Sequence, residues 1–463
     1  MTQPTSDILT TFEATYGRLV SVAMPVPAVD LLAFLAAADG LPRCYWEHAD
    51  EPLAFAGVGA ALDLTAWGDD RWAQMQAYAQ AVFHQAQIDT PDPAAGPRLF
   101  GGLAFRDDFL PDITWADFAP AQLLLPHYQL TRHGDQHYLT INAHLAPDDD
   151  LDALRAALRE SLRIKAATLR DLPAPMLATQ TPTRVAYPSS YEAWQRMIDT
   201  ATGRIRAGEL AKVVLARVAE LRFAQRVDVL RPLAWLRSAY PNTYRFLFEP
   251  RPRVAFYGAT PELLLEVQGE QFRTMGLAGS ARRGRAPEED AALAADLLSD
   301  PKNRHEHLIV VERIAANLRP LASELAVGEM GVLALSNIQH LHTPIKGTLA
   351  APQGVLTVAE HLHPTPALGG EPRAAALALI SELEPAPRGW FGAPVGWVDA
   401  SGGGQLAVAI RSAIAQQRRV WLYAGCGIVA DSDAAKEWDE TALKFRPMLN
   451  ALGVQQEVLH GQP

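Results

Sequence analysis

The chain has 463 residues, about half of them hydrophobic, enough for one large domain or for two or three ordinary ones with a substantial core. Its formal net charge of -11 argues against nucleic acid or an anionic membrane as the main partner and leaves room only for a local cationic pocket. Two cysteines, Cys44 and Cys426, make no disulfide framework, no apolar run reaches the ~20 residues of a membrane helix, and no signal-peptide pattern opens the chain, so a protein of the reducing cytoplasm is expected.

Residues 1–182 read as mixed scaffold. Helical spacing covers 30–38 and 70–86, and strands are expected at 45–58, 98–105, 121–131 and 137–143, separated by Pro, Gly and Asp turns. An amphipathic helix follows over 148–169, and the Pro-rich run 172–188 is the best candidate for a linker. From Ser189 the character changes. Six lysines stand against 35 arginines in the chain, and five of the six (Lys212, Lys302, Lys346, Lys436 and Lys444) lie in this second part. A chain that otherwise uses arginine keeps lysine where a compact or deprotonatable amine is required.

A helix over 191–208 feeds the Val/Leu-rich strand 211–222, with Lys212 at its mouth, where partial desolvation would make a usable base. Further on, 255–267 reads as two strands around a GATPE turn, and Glu262 opens the second among apolar neighbours that would keep it protonated, as a general acid must be. The stretch 272–285 reads as a strand ending in a basic Gly/Ser turn. A long helix over 298–318 carries Glu306 on one face with Lys302 and Val310; His305 and His307, two residues apart, point to different sides and exclude a zinc pair. A strand over 333–343 bears His340. Strands around Trp397 and 408–413 are joined by a glycine hairpin, with Arg411 alternating away from Ile410.

The stretch 421–446 is the most informative. It reads as a strand, a tight turn at Gly425 and Gly427 whose bare amides suit an anion, and a helix with Glu437, Glu440 and Lys444 on one face. A solvated helix stripe would give the same spacing. Beside an anion turn, however, a carboxylate pair is reasonable only with a cation between, and hard oxygen ligands point to Mg2+.

The motifs GLAGSAR, KNRHEH, IQHLHTPIKGT, HPTPALGG, AIRSA and AGCGIVADSDAAKEWDETALKF occur in this order, and on them the chain from Ser189 to Gly453 strongly resembles the chorismate-utilising enzymes. The resemblance implies an α/β (α+β) fold of two facing, mainly antiparallel sheets with helices packed outside, a variable half over 1–182 and a chorismate-binding half over 189–455, in one continuous fold. It also implies Mg2+ ligands at Glu306 and Glu440 with Glu437 beside them. Substrate contacts carry over to Ser280, His340, Arg411, Gly425, Gly427 and Lys444. Asn303 departs from the Asp or Glu of many relatives. Lys212 resembles the lysine that activates water, and Ala367 and Leu368 the loop of enzymes that use water. Lys346 resembles instead the nucleophilic lysine of aminodeoxychorismate synthases. The resemblance thus implies conversion of chorismate to isochorismate for menaquinone or siderophore synthesis, by a monomer or homodimer with no amidotransferase subunit. Aminodeoxychorismate or salicylate synthesis is the alternative.

Overall fold

The computed structural model of the protein describes residues 6–146, 148–170, 172 and 180–454. Its strands form two large sheets, 13-stranded and 10-stranded among the described residues. Apart from Arg18–Val26 beside Gln87–Asp89, every paired strand is antiparallel. The face between the sheets is aromatic. Trp46, Phe55, Phe246, Phe248, Phe256 and Tyr423 of the larger sheet pack with Phe100 and Trp397 of the smaller and with Trp115, Phe118 and Trp390 from loops. Two further apolar clusters seat helices on the outer faces, including Ala434–Ala451 and Leu230–Ala239 on the larger sheet and Pro301–Leu318 and Val355–Leu362 on the smaller. Burying one face of each element in this way gives a layered fold with a continuous core.

Both sheets run through both halves of the chain. Arg43–Glu47 pairs with Tyr244–Arg251 in the larger sheet, and Arg98–Leu103 pairs with Pro394–Asp399 in the smaller. The expected linker at 172–188 lies partly outside the described residues, and within it Arg184–Ala186 is a strand on the edge of Lys212–Arg222. The expected single strand at 45–58 is a hairpin, Arg43–Glu47 and Leu53–Val58, turned at the polar run between them. The strand expected at 333–343 is two: Gly331–Ala334, then Ile338–Leu349, which carries both His340 and Lys346.

Two strand pairs leave one sheet and enter the other. Val254–Thr260 lies in the larger sheet and its continuation Leu263–Gln268 in the smaller; Gly404–Val408 lies in the smaller and Ser412–Gln416 in the larger. The crossings fall at 261–262 and 409–411 and are tied together. Thr260 Oγ1 donates to the Val408 carbonyl at 2.6 Å, the Val408 amide to the Glu262 carbonyl at 2.9 Å, and the Ala259 amide to the Arg411 carbonyl at 3.1 Å. Arg411 takes φ +50°, a left-handed conformation that a non-glycine residue adopts at a cost. The expectation that Arg411 continues a strand is therefore corrected: it sits on the bend between sheets.

Candidate active site

The crossings open onto a cleft of about 630 Å³ of space, part of it open to solvent. Glu262, Ser280, Glu306, His340, Ala367, Leu368, Arg411, Gly425, Gly427, Glu440 and Lys444 all line it. Lys212 and Glu437 do not line it themselves; Lys212 pairs with Glu306 at its wall, and Glu437 pairs with Lys302 outside it.

Two local readings change. The stretch around Ser280 is not a turn but the strand Gln271–Arg282 with a bulge between Ala278 and Ser280, where Gly279 has φ +75°. Gly425 and Gly427 likewise lie within the strand Arg419–Ile428, paired with Ala216 and Val214, and form no anion turn. Their smallness has another cause. A Cβ on Gly427 would meet Glu306 Oε1 and come within 2.9 Å of Lys212 Cε, so the missing side chain leaves room for that ion pair.

Each carboxylate at the inner wall has a lysine. Lys212 Nζ is 3.0 Å from Glu306, Lys302 Nζ 3.2 Å from Glu437 and Lys444 Nζ 2.6 Å from Glu440. Lys212 is fully buried, and its approach to Glu306 is close in distance but lacks hydrogen-bond geometry. Burial opposes charge on Lys444, yet Glu440 beside it holds its pKa above the usual lysine value. Lys444 also donates to the Gly425 carbonyl at 2.9 Å. Burial, and then the nearby Glu440 charge, raise the pKa of Glu437.

The cleft also holds a carboxylic acid. Glu262 is 3% exposed, and burial pushes its pKa up to about 8 despite the charges of Lys212, Arg411 and Lys444. His340 is neutral, its pKa lowered well below 6.5 by burial and by Arg411 and Lys444. Arg411 Nη2 donates to His340 Nε2 at 3.3 Å, which assigns the ring proton to Nδ1, facing the Gly279 carbonyl at 3.2 Å and Ser280 Oγ at 3.0 Å. Burial lowers Arg411 to about 10, so it stays charged at neutral pH, and its buried Nε–H has no protein partner. A buried guanidinium with a donor to spare suits a carboxylate. Lys346, by contrast, is exposed and lies six residues beyond His340, roughly 20 Å along the strand at ~3.4 Å per residue. His307 is buried against Thr343 Oγ1 at 2.8 Å while His305 is exposed, so the two do not meet.

Residues 7–453 match the family model for chorismate binding enzymes. The chain belongs to this family. It is 35% identical to the salicylate biosynthesis isochorismate synthase of Pseudomonas aeruginosa over 97% of this chain and 95% of that one, and 33% identical to the isochorismate synthase MenF of Bacillus subtilis over 95% of each. The structure of MenF, the menaquinone-specific isochorismate synthase from Escherichia coli, superposes with a TM-score of 0.79 at 28% identity over 96% of this chain and 98% of that one. Anthranilate synthase component I of Streptococcus pneumoniae shares the fold at 22% identity, with a TM-score of 0.71 over 87% of this chain and 93% of that one. In this chorismate-binding enzyme the cleft residues come from ten separate segments. Some wall residues carried no prior signal, among them Leu277, Ile410 and Tyr423, because apolar strand residues look alike wherever they point.

The donor set fits a hard divalent cation. Glu306 and Glu440 offer carboxylate oxygens to one cleft, and Glu437 lies close enough to Glu440 for their charges to repel. Among the described residues no group of three or more His, Cys, Asp or Glu is gathered closely enough to hold a metal. No described helix is long and apolar enough to cross a membrane.

Proposed function

We propose that the protein is an isochorismate synthase: water adds at C2 of chorismate, the ring double bond shifts, and the C4 hydroxyl leaves as water. The observation that carries this reading is a buried acid, Glu262, in one cleft with Arg411 and the Lys212–Glu306 pair. Lys212 is the base that takes a proton from water, and Glu262, protonated at neutral pH, gives one to the leaving hydroxyl. Neither role requires a covalent intermediate. Arg411 and Lys444 hold carboxylates of the dianionic substrate, Ser280 and His340 complete that wall, and Ala367 and Leu368 close the cleft over the ring. Glu306 and Glu440, with Glu437 behind, would hold Mg2+, which neutralises the ring carboxylate that those glutamates would otherwise repel. Both relatives described above at 33% and 35% identity are named isochorismate synthases, one of them in salicylate biosynthesis, which supports isochorismate as the product.

The amine-using alternative needs Lys346 at the ring, and its exposed place far along the strand from His340 weighs against it. Incubation with chorismate, Mg2+ and ammonium is expected to yield isochorismate and no amino product. Lys212→Ala should cost ~10²-fold or more in kcat and Lys346→Ala less than about twofold. EDTA should abolish turnover and added Mg2+ restore it. An amino product, or a dead Lys346→Ala enzyme beside an active Lys212→Ala one, would reverse the assignment.

A further inference from the structure

The strand Lys212–Arg222 is paired along one edge with Arg419–Ile428, but among the described residues its other edge is filled by strands only at its ends, by Gly370–Glu371 at Lys212 and Val213 and by Arg184–Ala186 at residues 220–222. Between them the Val214 amide donates to the Gly369 carbonyl at 2.9 Å, while the Val214 carbonyl and the Ala216 amide face no described strand. Two side chains stand in for one. Arg388 Nη2 donates to the Val214 carbonyl at 2.8 Å, and Glu384 Oε1 accepts the Ala216 amide at 2.8 Å. The pair is buried and doubly bonded, with Arg388 Nε to Glu384 Oε2 at 2.9 Å and Nη2 to Oε1 at 2.5 Å. Arg388 also stacks 4.4 Å over the Phe105 ring.

The same guanidinium reaches the substrate loop. Its Nη1 donates to the Leu368 carbonyl at 2.7 Å, and the Arg388 carbonyl accepts the Phe391 amide at 2.9 Å. Leu368, Val214 and Phe391 all line the cleft, while Arg388 and Glu384 lie outside it and line a separate surface cleft. One planar fork thus sets the spacing between the Leu368 and Val214 walls, and it is two residues along the strand from Val214 to Lys212. We propose that Arg388, held by Glu384, is a positioning residue that fixes the Ala367–Leu368 wall against the strand carrying Lys212. This rests on the reading of the protein as an isochorismate synthase. A single amine replaces the fork with one point donor, which cannot serve Leu368, Val214 and Glu384 together.

Kinetics of Arg388→Lys, with folding followed by circular dichroism and active sites titrated by ligand binding, test the proposal. The expected result is a folded enzyme whose kcat per active site falls on the order of tenfold to a hundredfold, with KM for chorismate within about threefold, as misplacement without lost affinity predicts. Arg388→Ala should lose more, and millimolar methylguanidine, entering from the surface cleft to pair with Glu384, should restore part of kcat. A folded Arg388→Lys enzyme with kcat within about twofold of wild type, or a loss that tracks only the folded fraction, would overturn it; should Arg388→Ala not fold, Arg388→Lys alone decides. Wild-type enzyme that makes no isochorismate would instead overturn the functional reading on which it rests.

Discussion

A carboxyl group that is to donate a proton at neutral pH must be kept from ionising, and at Glu262 burial does this, lifting the pKa from 4.5 to about 8. Two consequences follow, one for function and one for stability, and both effects are lost as pH rises. As a general acid Glu262 works only while protonated, so kcat is expected to fall as pH rises through about 8. Its folded pKa lies above the unfolded value, so the folded chain binds the extra proton. The resulting stability is full below about 4.5 and is lost as pH rises toward 8. Glu262→Gln, which cannot ionise, should therefore lower turnover by ~10²-fold or more while raising the thermal midpoint relative to wild type at about pH 9 and much less at about pH 5. A pH-independent difference in midpoint would remove burial of the acid as the cause. At this scale the sequence was legible where a charge sits among apolar neighbours, as at Glu262 and Lys212. The partnership of Lys302 with Glu437 was not, because the two are 135 residues apart and no periodicity reports such a distance.

For single elements, the helix Ala434–Ala451 was readable because its spacing alone puts Glu437, Glu440 and Lys444 on one face. The strand before it was misread. Glycines at 425 and 427 signal either a turn or a close approach, and only the partner strand and Glu306 decide between them. Gly427→Ala tests the close approach: the new methyl displaces Glu306 or Lys212, and turnover is expected to drop at least about tenfold with secondary structure unchanged by circular dichroism. Activity within twofold of wild type would mean that the Lys212–Glu306 contact is dispensable. The break at 261–262 was read as a turn between two strands, but that the chain changes sheets there and at 409–411 was illegible for a related reason. A strand that changes sheets keeps its hydrophobic alternation on both sides of the bend, and the pattern carries no mark of the change.

Across the whole molecule, the two halves read from composition share their sheets. The strand Tyr244–Arg251 has Arg43–Glu47 on one edge, and Pro394–Asp399 has Arg98–Leu103. A chain cut to 189–454 would expose both edges and half of the aromatic layer, including the partners of Trp46, Phe55 and Phe100. Such a fragment is expected to be insoluble or aggregated on expression, as judged by gel filtration; a monodisperse fragment with native near-ultraviolet dichroism would show the second half to be self-sufficient. The loop at Ala367 and Leu368 lines the cleft, but its anchoring by Arg388 depends on a gap in a sheet edge that only the assembled layers create.

The bends that carry Glu262 and Arg411 act as short struts between the two layers. Any sliding of one sheet over the other by an ångström has to be taken up within a few residues, and those residues hold the acid and the guanidinium. Alignment at the cleft and stiffness of the aromatic layer are therefore one mechanical property. Substitutions that soften Trp390, Phe248 or Phe256 would reach the chemistry through these struts and slow turnover before they unfold the chain.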